Sequence, residues 1–194
     1  MGSVLPRDFY ARDPATVGRD LLGKILVHGE TAGRIVEVEA YLGAGDLAAH
    51  SARGITPRTR VLFGPPGHAY VYLIYGMYQC LNLVCEREGA PGCVLIRALE
   101  PCAGLDLMRA RRPAARRVED LCSGPGRLTM AMGIHHALNG RDVTAAGDLV
   151  VRRPARREDF TIETTPRIGI SLCRDLPLRF IISRNRFVSR APKV

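Results

Sequence analysis

The chain has 194 residues, 46% of them hydrophobic, enough for one domain with a real core. Its 28 Lys plus Arg against 19 Asp plus Glu give a formal net charge of +9, which favours polyanions without choosing among DNA, RNA and an acidic membrane. No run approaches the ~18 apolar residues of a membrane span, residues 1–12 hold no apolar signal stretch, and none of the six cysteines forms a Cys-x-x-Cys pair, so transmembrane, zinc and dithiol redox readings are unsupported. Buried free thiols in a reducing cytoplasm account for the cysteines. Lys24 and Lys193 are the only lysines. Arginine suits bidentate contact with phosphate, and a GC-rich genome would produce the same bias.

In chain order, residues 14–22 read as the first helix: Asp13 is placed to cap it, Pro14 suits its first turn and Gly23 can end it. Residues 24–28 read as a short strand. Residues 33–41 read as a second, in which Val36, Val38 and Ala40 alternate with Ile35, Glu37, Glu39 and Tyr41. Glu39 and Tyr41 should therefore project from one face. The Gly- and Pro-rich stretch 43–67 reads as a long loop, a kind of segment that often carries function. Residues 69–75 and 79–85 form a predicted hairpin with Gly76 and Met77 in the turn, which puts Tyr75 and Met77 at its tip. Tyr70, Tyr72 and Ile74 share one face of its first strand. Residues 93–99 read as a strand with Arg97 on the face of Cys93 and Leu95.

Beyond Pro101 the pattern changes. Residues 104–112 and 126–133 look helical, Asn139-Gly140 is a turn signal, and short strands are expected at 148–152, 160–163, 168–171 and 178–183. Strands dominate and few have a helix between them. The expected fold is α+β: a single domain over residues 1–194, around a curved, mainly antiparallel β-sheet with peripheral helices.

Four features carry chemistry. Glu39 stands on a strand otherwise rich in Val, Ile and Ala. A carboxylate there can hold a raised pKa and act as a general base, and a half-exposed strand glutamate would look the same. His50 follows Ala48-Ala49 in the long loop and titrates near neutrality, though a solvated loop histidine needs no further role. Tyr70, Tyr72, Tyr75 and Tyr78 cluster in a chain with only six tyrosines. Strand propensity explains any one of them, yet aromatic faces in a basic protein can stack on bases, and a tip residue can wedge into a duplex. Arg97, in a run of Val, Leu and Ile, needs an anionic or carbonyl partner if buried. Glu39 is a candidate, and a structural ion pair would read identically.

Other signals are weaker. Gly64-Pro65-Pro66-Gly67 lacks the lysine and Ser/Thr of a P-loop, and Ser123-Gly124-Pro125-Gly126 is equally a phosphate cradle or a plain turn into a helix. The arginines within 109–117 and 152–157 read as solvated faces that add counterion release if they meet DNA.

The runs Glu37-Val38-Glu39-Ala40-Tyr41-Leu42-Gly43, Ala48-Ala49-His50-Ser51 and Tyr70-Val71-Tyr72-Leu73-Ile74-Tyr75-Gly76-Met77-Tyr78 resemble the alkyladenine (3-methyladenine) DNA glycosylase family. Arg97-Ala98-Leu99-Glu100-Pro101, Leu121-Cys122-Ser123-Gly124-Pro125 and Arg167-Ile168-Gly169-Ile170 match the same pattern in the same order, and the similarity runs over residues 9–188. The resemblance implies a base-excision repair enzyme that flips alkylated or deaminated purines out of double-stranded DNA and hydrolyses the N-glycosidic bond, leaving an abasic site. By the same resemblance Glu39 is the general base, and the Arg97 side chain and the Ile168 main-chain carbonyl help hold the water. Tyr41, His50 and Tyr72 enclose the flipped base, Asn82 screens out guanine through its exocyclic amine, Tyr75 is the wedge and Met77 supports it.

No cofactor and no metal are expected. With Lys24 at a strand start and Lys193 in the tail, neither lysine is near the constellation in sequence, so a Schiff-base lyase step is not expected. The expected enzyme is monofunctional, monomeric, cytoplasmic and without a membrane partner. A non-catalytic sensor of distorted duplex would keep Tyr75 and the arginines without needing Glu39. An RNA-directed nucleobase deaminase is disfavoured by the missing Cys-x-x-Cys.

Overall fold

A computed structural model describes residues 1–43, 45–156 and 158–189. Helix α1 spans Arg7–Tyr10 and α2 spans Pro14–Leu21, where the Asp13 side chain caps the helix by accepting from the Thr16 N–H at 2.9 Å. Strand β1 is Ile25–His28, β2 Thr31–Tyr41, β3 Ala69–Ile74, β4 Tyr78–Val84 and β5 Cys93–Ala103. Then come α3 (Leu105–Arg111), α4 (Pro125–Met132), β6 (Leu149–Arg152), β7 (Ile162–Thr165) and β8 (Arg179–Ile182). All strand pairings among the described residues are antiparallel, in the order β3-β4-β5-β2-β1-β6, with β8 also on β2 and β7 on β8. The fold is α+β in one domain, with a curled sheet and four helices.

The centre of the sheet is β2. On one edge it pairs with β5 throughout; the other edge is shared by β1 at residues 31–34 and β8 at residues 37–39. Both faces of β2 are buried as a result, because α2 packs across it and β8 closes the end that β1 does not reach. Gly18 of α2 permits this: a Cβ there would lie 3.1 Å from the Phe180 ring of β8. The half-exposed alternative for Glu39 is thereby corrected, since Glu39, like Glu37, is 0% exposed.

The ladder between β2 and β5 carries register shifts between Ile35 and Glu37 and between Glu37 and Val38. At the first, Val36 is the extra residue, so Ile35 and Val36 both join the main core and the strict alternation expected of this strand breaks. At the second, Glu37 faces Ala98 and Val38 faces Ile96, which leaves Arg97 as the extra residue of β5. A bulge re-aims a side chain, and this one turns Arg97 toward the glutamates. Two expected strands also change. Residues 160–163 shift to Ile162–Thr165, and residues 168–171 form no strand. Gly169 lies at φ +76°, and the Ile168 N–H is engaged by a carboxylate instead of a ladder partner.

Candidate active site

One transverse row of the sheet builds the site. Tyr70 of β3 faces Asn82 of β4, Asn82 faces Leu95 of β5, Leu95 faces Glu39 of β2, and Glu39 faces Arg179 of β8. Residues directly opposite in a sheet share a face, so residues distant in sequence converge on one surface. Above that surface lies a cleft of about 770 Å³ whose walls include Tyr41, His50, Tyr72, Asn82, Arg97 and Ile168. A second groove of about 630 Å³ lies at the opposite end of β2, around Lys24, Arg34 and Phe160, and none of the predicted site residues lines it.

Glu39 lies just behind the cleft wall. Its Oε1 accepts from the Ile168 N–H at 2.7 Å, and its Oε2 accepts from the Tyr41 hydroxyl at 3.0 Å and lies 3.2 Å from Arg97 Nη1. All three partners line the cleft. Burial pushes the Glu39 carboxyl above the usual carboxylate range, against the pull of Arg97, the Ile168 N–H and the Tyr41 hydroxyl. Burial likewise works against the charge of Arg97, but Glu39 and Glu37 outweigh it and hold the guanidinium above its ordinary value.

Glu37, two residues earlier, is held differently. It accepts from Arg97 Nε at 2.9 Å, Arg179 Nε at 2.8 Å, the Ser189 N–H at 2.6 Å and the Ser189 hydroxyl at 2.9 Å. Arg97 therefore bridges both carboxylates. Sequence reasoning offered Glu39 as its candidate partner and gave Glu37 no role. Glu37 and Glu39 on one side of a strand, facing an arginine in an apolar run, were the available signal.

A third buried carboxylate braces the loops. Asp46 binds Arg167 bidentately at 2.6 and 2.9 Å, with both side chains fully buried. Asp46 also accepts from the Leu42 N–H at 3.0 Å and the Ala48 N–H at 3.2 Å, while Arg167 donates to the Ala40 carbonyl at 3.2 Å and lies over the Tyr41 ring. This brace ties the segment after β2 to the one that carries Ile168, so it sets where the Ile168 N–H meets Glu39. Asp46 gave no sequence signal, and Arg167 entered only as a neighbour of Ile168.

His50 opens a short 3₁₀ turn, His50–Arg53. Its Nδ1 lies 3.0 Å from the Tyr70 hydroxyl, and its ring meets Tyr72 edge-on with centroids 4.5 Å apart. Burial, then Arg58 and Arg53, shift the imidazole below its ordinary pKa. Asn82 is buried and donates from Nδ2 to the Tyr70 carbonyl at 3.2 Å. Tyr75 and Met77 do stand at the hairpin tip, 82% and 67% exposed, in the three-residue turn that joins Ile74 to Tyr78. Tyr75 sits at φ +52°, an unusual conformation for a non-glycine residue, beside Gly76 at φ +70°. The root of the hairpin is fixed by α4: Thr129 donates to the Gln79 carbonyl at 2.9 Å, and Gly126 lies so close to Tyr78 that a Cβ would meet it at 2.9 Å.

Of the arginine groups, Arg112 donates to the Asp120 and Leu121 carbonyls and Arg117 pairs with Asp120, so both hold the chain locally. Arg152 is part of β6, and Arg157 and Lys193 lie outside the described residues. Lys24 stands at the second groove. All six cysteines are free, and burial pushes the Cys93 thiol, in the cleft wall, up to about 12. Among the described residues no helix is long and apolar enough to cross a membrane.

The methylpurine-DNA glycosylase family pattern matches residues 8–186. A protein of Methanoculleus marisnigri is 56% identical over 193 residues, covering 96% of this chain and 99% of its own length. One from Burkholderia cenocepacia is 50% identical (98% of this chain, 93% of its own), and one from Legionella pneumophila 49% identical (96% and 98%). All three carry the provisional name 3-methyladenine DNA glycosylase. The chain belongs to the methylpurine-DNA glycosylase family, and is thus a DNA-repair glycosylase of alkylated bases, a hydrolase acting on N-glycosyl bonds.

Proposed function

We propose that residues 1–194 make up one monofunctional glycosylase domain, working as a cytoplasmic monomer on double-stranded DNA. It flips alkylated or deaminated purines into the cleft and hydrolyses their N-glycosidic bond with a water activated by Glu39, leaving an abasic site. The observation that carries this reading is the surroundings of Glu39. An ionised carboxylate offers roughly four acceptor positions. The Tyr41 hydroxyl takes one on Oε2, beside the Arg97 guanidinium, and the Ile168 N–H takes one on Oε1. The attacking water is assigned to the remaining position on Oε1, reached from between the cleft-lining partners of Glu39. Burial makes this carboxylate a better proton acceptor than an exposed one.

The other roles follow from placement. Arg97 and the Ile168 carbonyl hold the water with Glu39. Tyr41, His50 and Tyr72 enclose the base with their rings. Asn82, fixed by its bond to the Tyr70 carbonyl, screens the purine edge. Tyr75 fills the gap in the duplex, with Met77 beside it. No lysine lines the cleft among the described residues, which supports water and not an amine as the nucleophile. The test is single-turnover base release from duplexes carrying one alkylated purine or one hypoxanthine, for the wild type and Glu39→Gln. Release by the wild type, and binding without release by the variant, are expected. Release by both proteins alike would remove Glu39 from the reaction.

A further inference from the structure

The hydrolysis gives no role to two arginines that line the cleft, Arg53 and Arg58. Arg58 follows the 3₁₀ turn that His50 opens. It is fixed by a knot in which the Thr59 hydroxyl donates to the Gly54 carbonyl at 2.9 Å and accepts from the Thr56 N–H at 2.8 Å. Its guanidinium lies over the Tyr72 ring, 5.1 Å from the centroid, and lines the cleft. It also stands against the Tyr70 hydroxyl, which in turn meets Nδ1 of His50 at 3.0 Å. No step of the hydrolysis needs a cation at this position.

A guanidinium only donates hydrogen bonds. A phenol beside it turns its oxygen lone pairs toward the cation and its O–H away, and the acceptor within reach is Nδ1 of His50. A neutral imidazole that accepts at Nδ1 carries its proton on Nε2. Burial, with Arg58 and Arg53 after it, favours that neutral form. Tyr70 and Tyr72, the other titratable groups packed against the ring, are shifted upward by burial and stay protonated. His50 lines the cleft, and no hydrogen bond to its Nε2 exists among the described residues.

We propose that Arg58 and Tyr70 form a relay that holds His50 as an Nε2–H donor, and that the cleft thereby favours neutral purines presenting an acceptor oxygen or nitrogen over purines carrying a positive charge. The inference rests on the glycosylase reading. In that reaction the C1′–N9 electron pair leaves with the base, the water oxygen bonds to C1′, and the water proton passes to Glu39. A neutral purine therefore gains negative charge as it departs, and a fixed cation with an aligned donor stabilises it. A cationic purine meets the same guanidinium as a like charge. Arg58 and Tyr70 are positioning residues in this scheme.

The experiment compares single-turnover release of hypoxanthine and 7-methylguanine by the wild type, Arg58→Gln, Arg58→Lys and Tyr70→Phe. It also records imidazole ¹⁵N shifts of the free proteins, with His50 assigned through His50→Gln. Arg58→Gln is expected to lower the hypoxanthine to 7-methylguanine rate ratio about tenfold, one hydrogen bond's worth of discrimination. Arg58→Lys restores most of it, Tyr70→Phe moves the ratio the same way, and in both Arg58→Gln and Tyr70→Phe the His50 signal departs from the Nε2–H tautomer. Equal losses on both substrates would make Arg58 a phosphate contact and overturn the relay. So would a His50 tautomer indifferent to Arg58 and Tyr70. A wild type that releases neither base sinks the glycosylase reading, while the ¹⁵N spectra, recorded without DNA, still judge the relay.

Discussion

Glu37 and Glu39 are two carboxylates on one strand, equally buried and sharing one arginine, yet the chain treats them differently. Glu37 accepts four hydrogen bonds, from Arg97, Arg179 and both donors of Ser189, and of these residues only Arg97 lines the cleft. Glu39 has one fewer partner, its burial outweighs their pull, and those partners line the cleft. Burying a charge is costly unless its partners are complete. Glu37 is ringed by two guanidinium groups and a serine, and the result is structural. Glu39 has one guanidinium, one phenol and one N–H, all three from the cleft wall. The difference between a brace and a base lies here in the number of donors around the carboxylate and in which wall of the molecule they belong to.

Five measurements test the contrast between the two glutamates. Glu39→Gln should slow base release about 10³-fold in single turnover, within the range of general-base catalysis, with the folded protein retained. Glu37→Gln should do the reverse. It leaves Arg179 against a neutral amide and Arg97 with Glu39 alone, and should cost about 3 kcal/mol in denaturant unfolding; a variant as stable as the wild type would erase the contrast. Arg179→Met removes one charged partner from Glu37 and none from Glu39, so a loss of about 2 kcal/mol with an unchanged rate at low temperature is expected. The pH profile comes next. Glu39 faces Tyr41, Arg97, the Ile168 N–H and, less directly, Glu37, and its pKa is raised by burial. The base form is lost as pH falls, so release should decline on acidification with a midpoint above the ordinary carboxylate value, and Glu39→Gln should abolish that limb. The smallest effect is on Tyr75, whose 82% exposure means that Tyr75→Ser should change stability by less than about 0.5 kcal/mol, measured by thermal melting, even as it weakens flipping.

Much of this was legible in the sequence where the signal was local. The capped helix α2, the tyrosine-rich hairpin with Tyr75 and Met77 at its tip, and the common face of Glu39 and Tyr41 follow from caps, turn residues and strand parity. The alternation failed at Ile35 because a bulge adds a residue, and bulges have no sharp sequence signature. Residues 168–171 look like a strand by composition, but the Ile168 N–H is claimed by a carboxylate 129 positions away. Burial of Glu37 and Glu39 was equally hidden, since it depends on β8 docking from near the end of the chain. Asp46 and Arg167, 121 positions apart, share no period with anything around them. Their pairing is a property of the closed fold, and no window of the sequence contains it.

The segment 167–189 supplies a ligand to each of three carboxylates: Arg167 to Asp46, Ile168 to Glu39, and Arg179 with Ser189 to Glu37. All three carboxylates stand in the first quarter of the chain. During synthesis, therefore, the early strand is made long before the groups that neutralise it, and its acidic side chains stay in water until the last stretch arrives. Packing of that strand into the core and assembly of the reactive centre become one late event. A nascent or prematurely ended chain would carry the hairpin and the aromatic walls but no organised base, so incomplete copies should be unable to cut bases by accident.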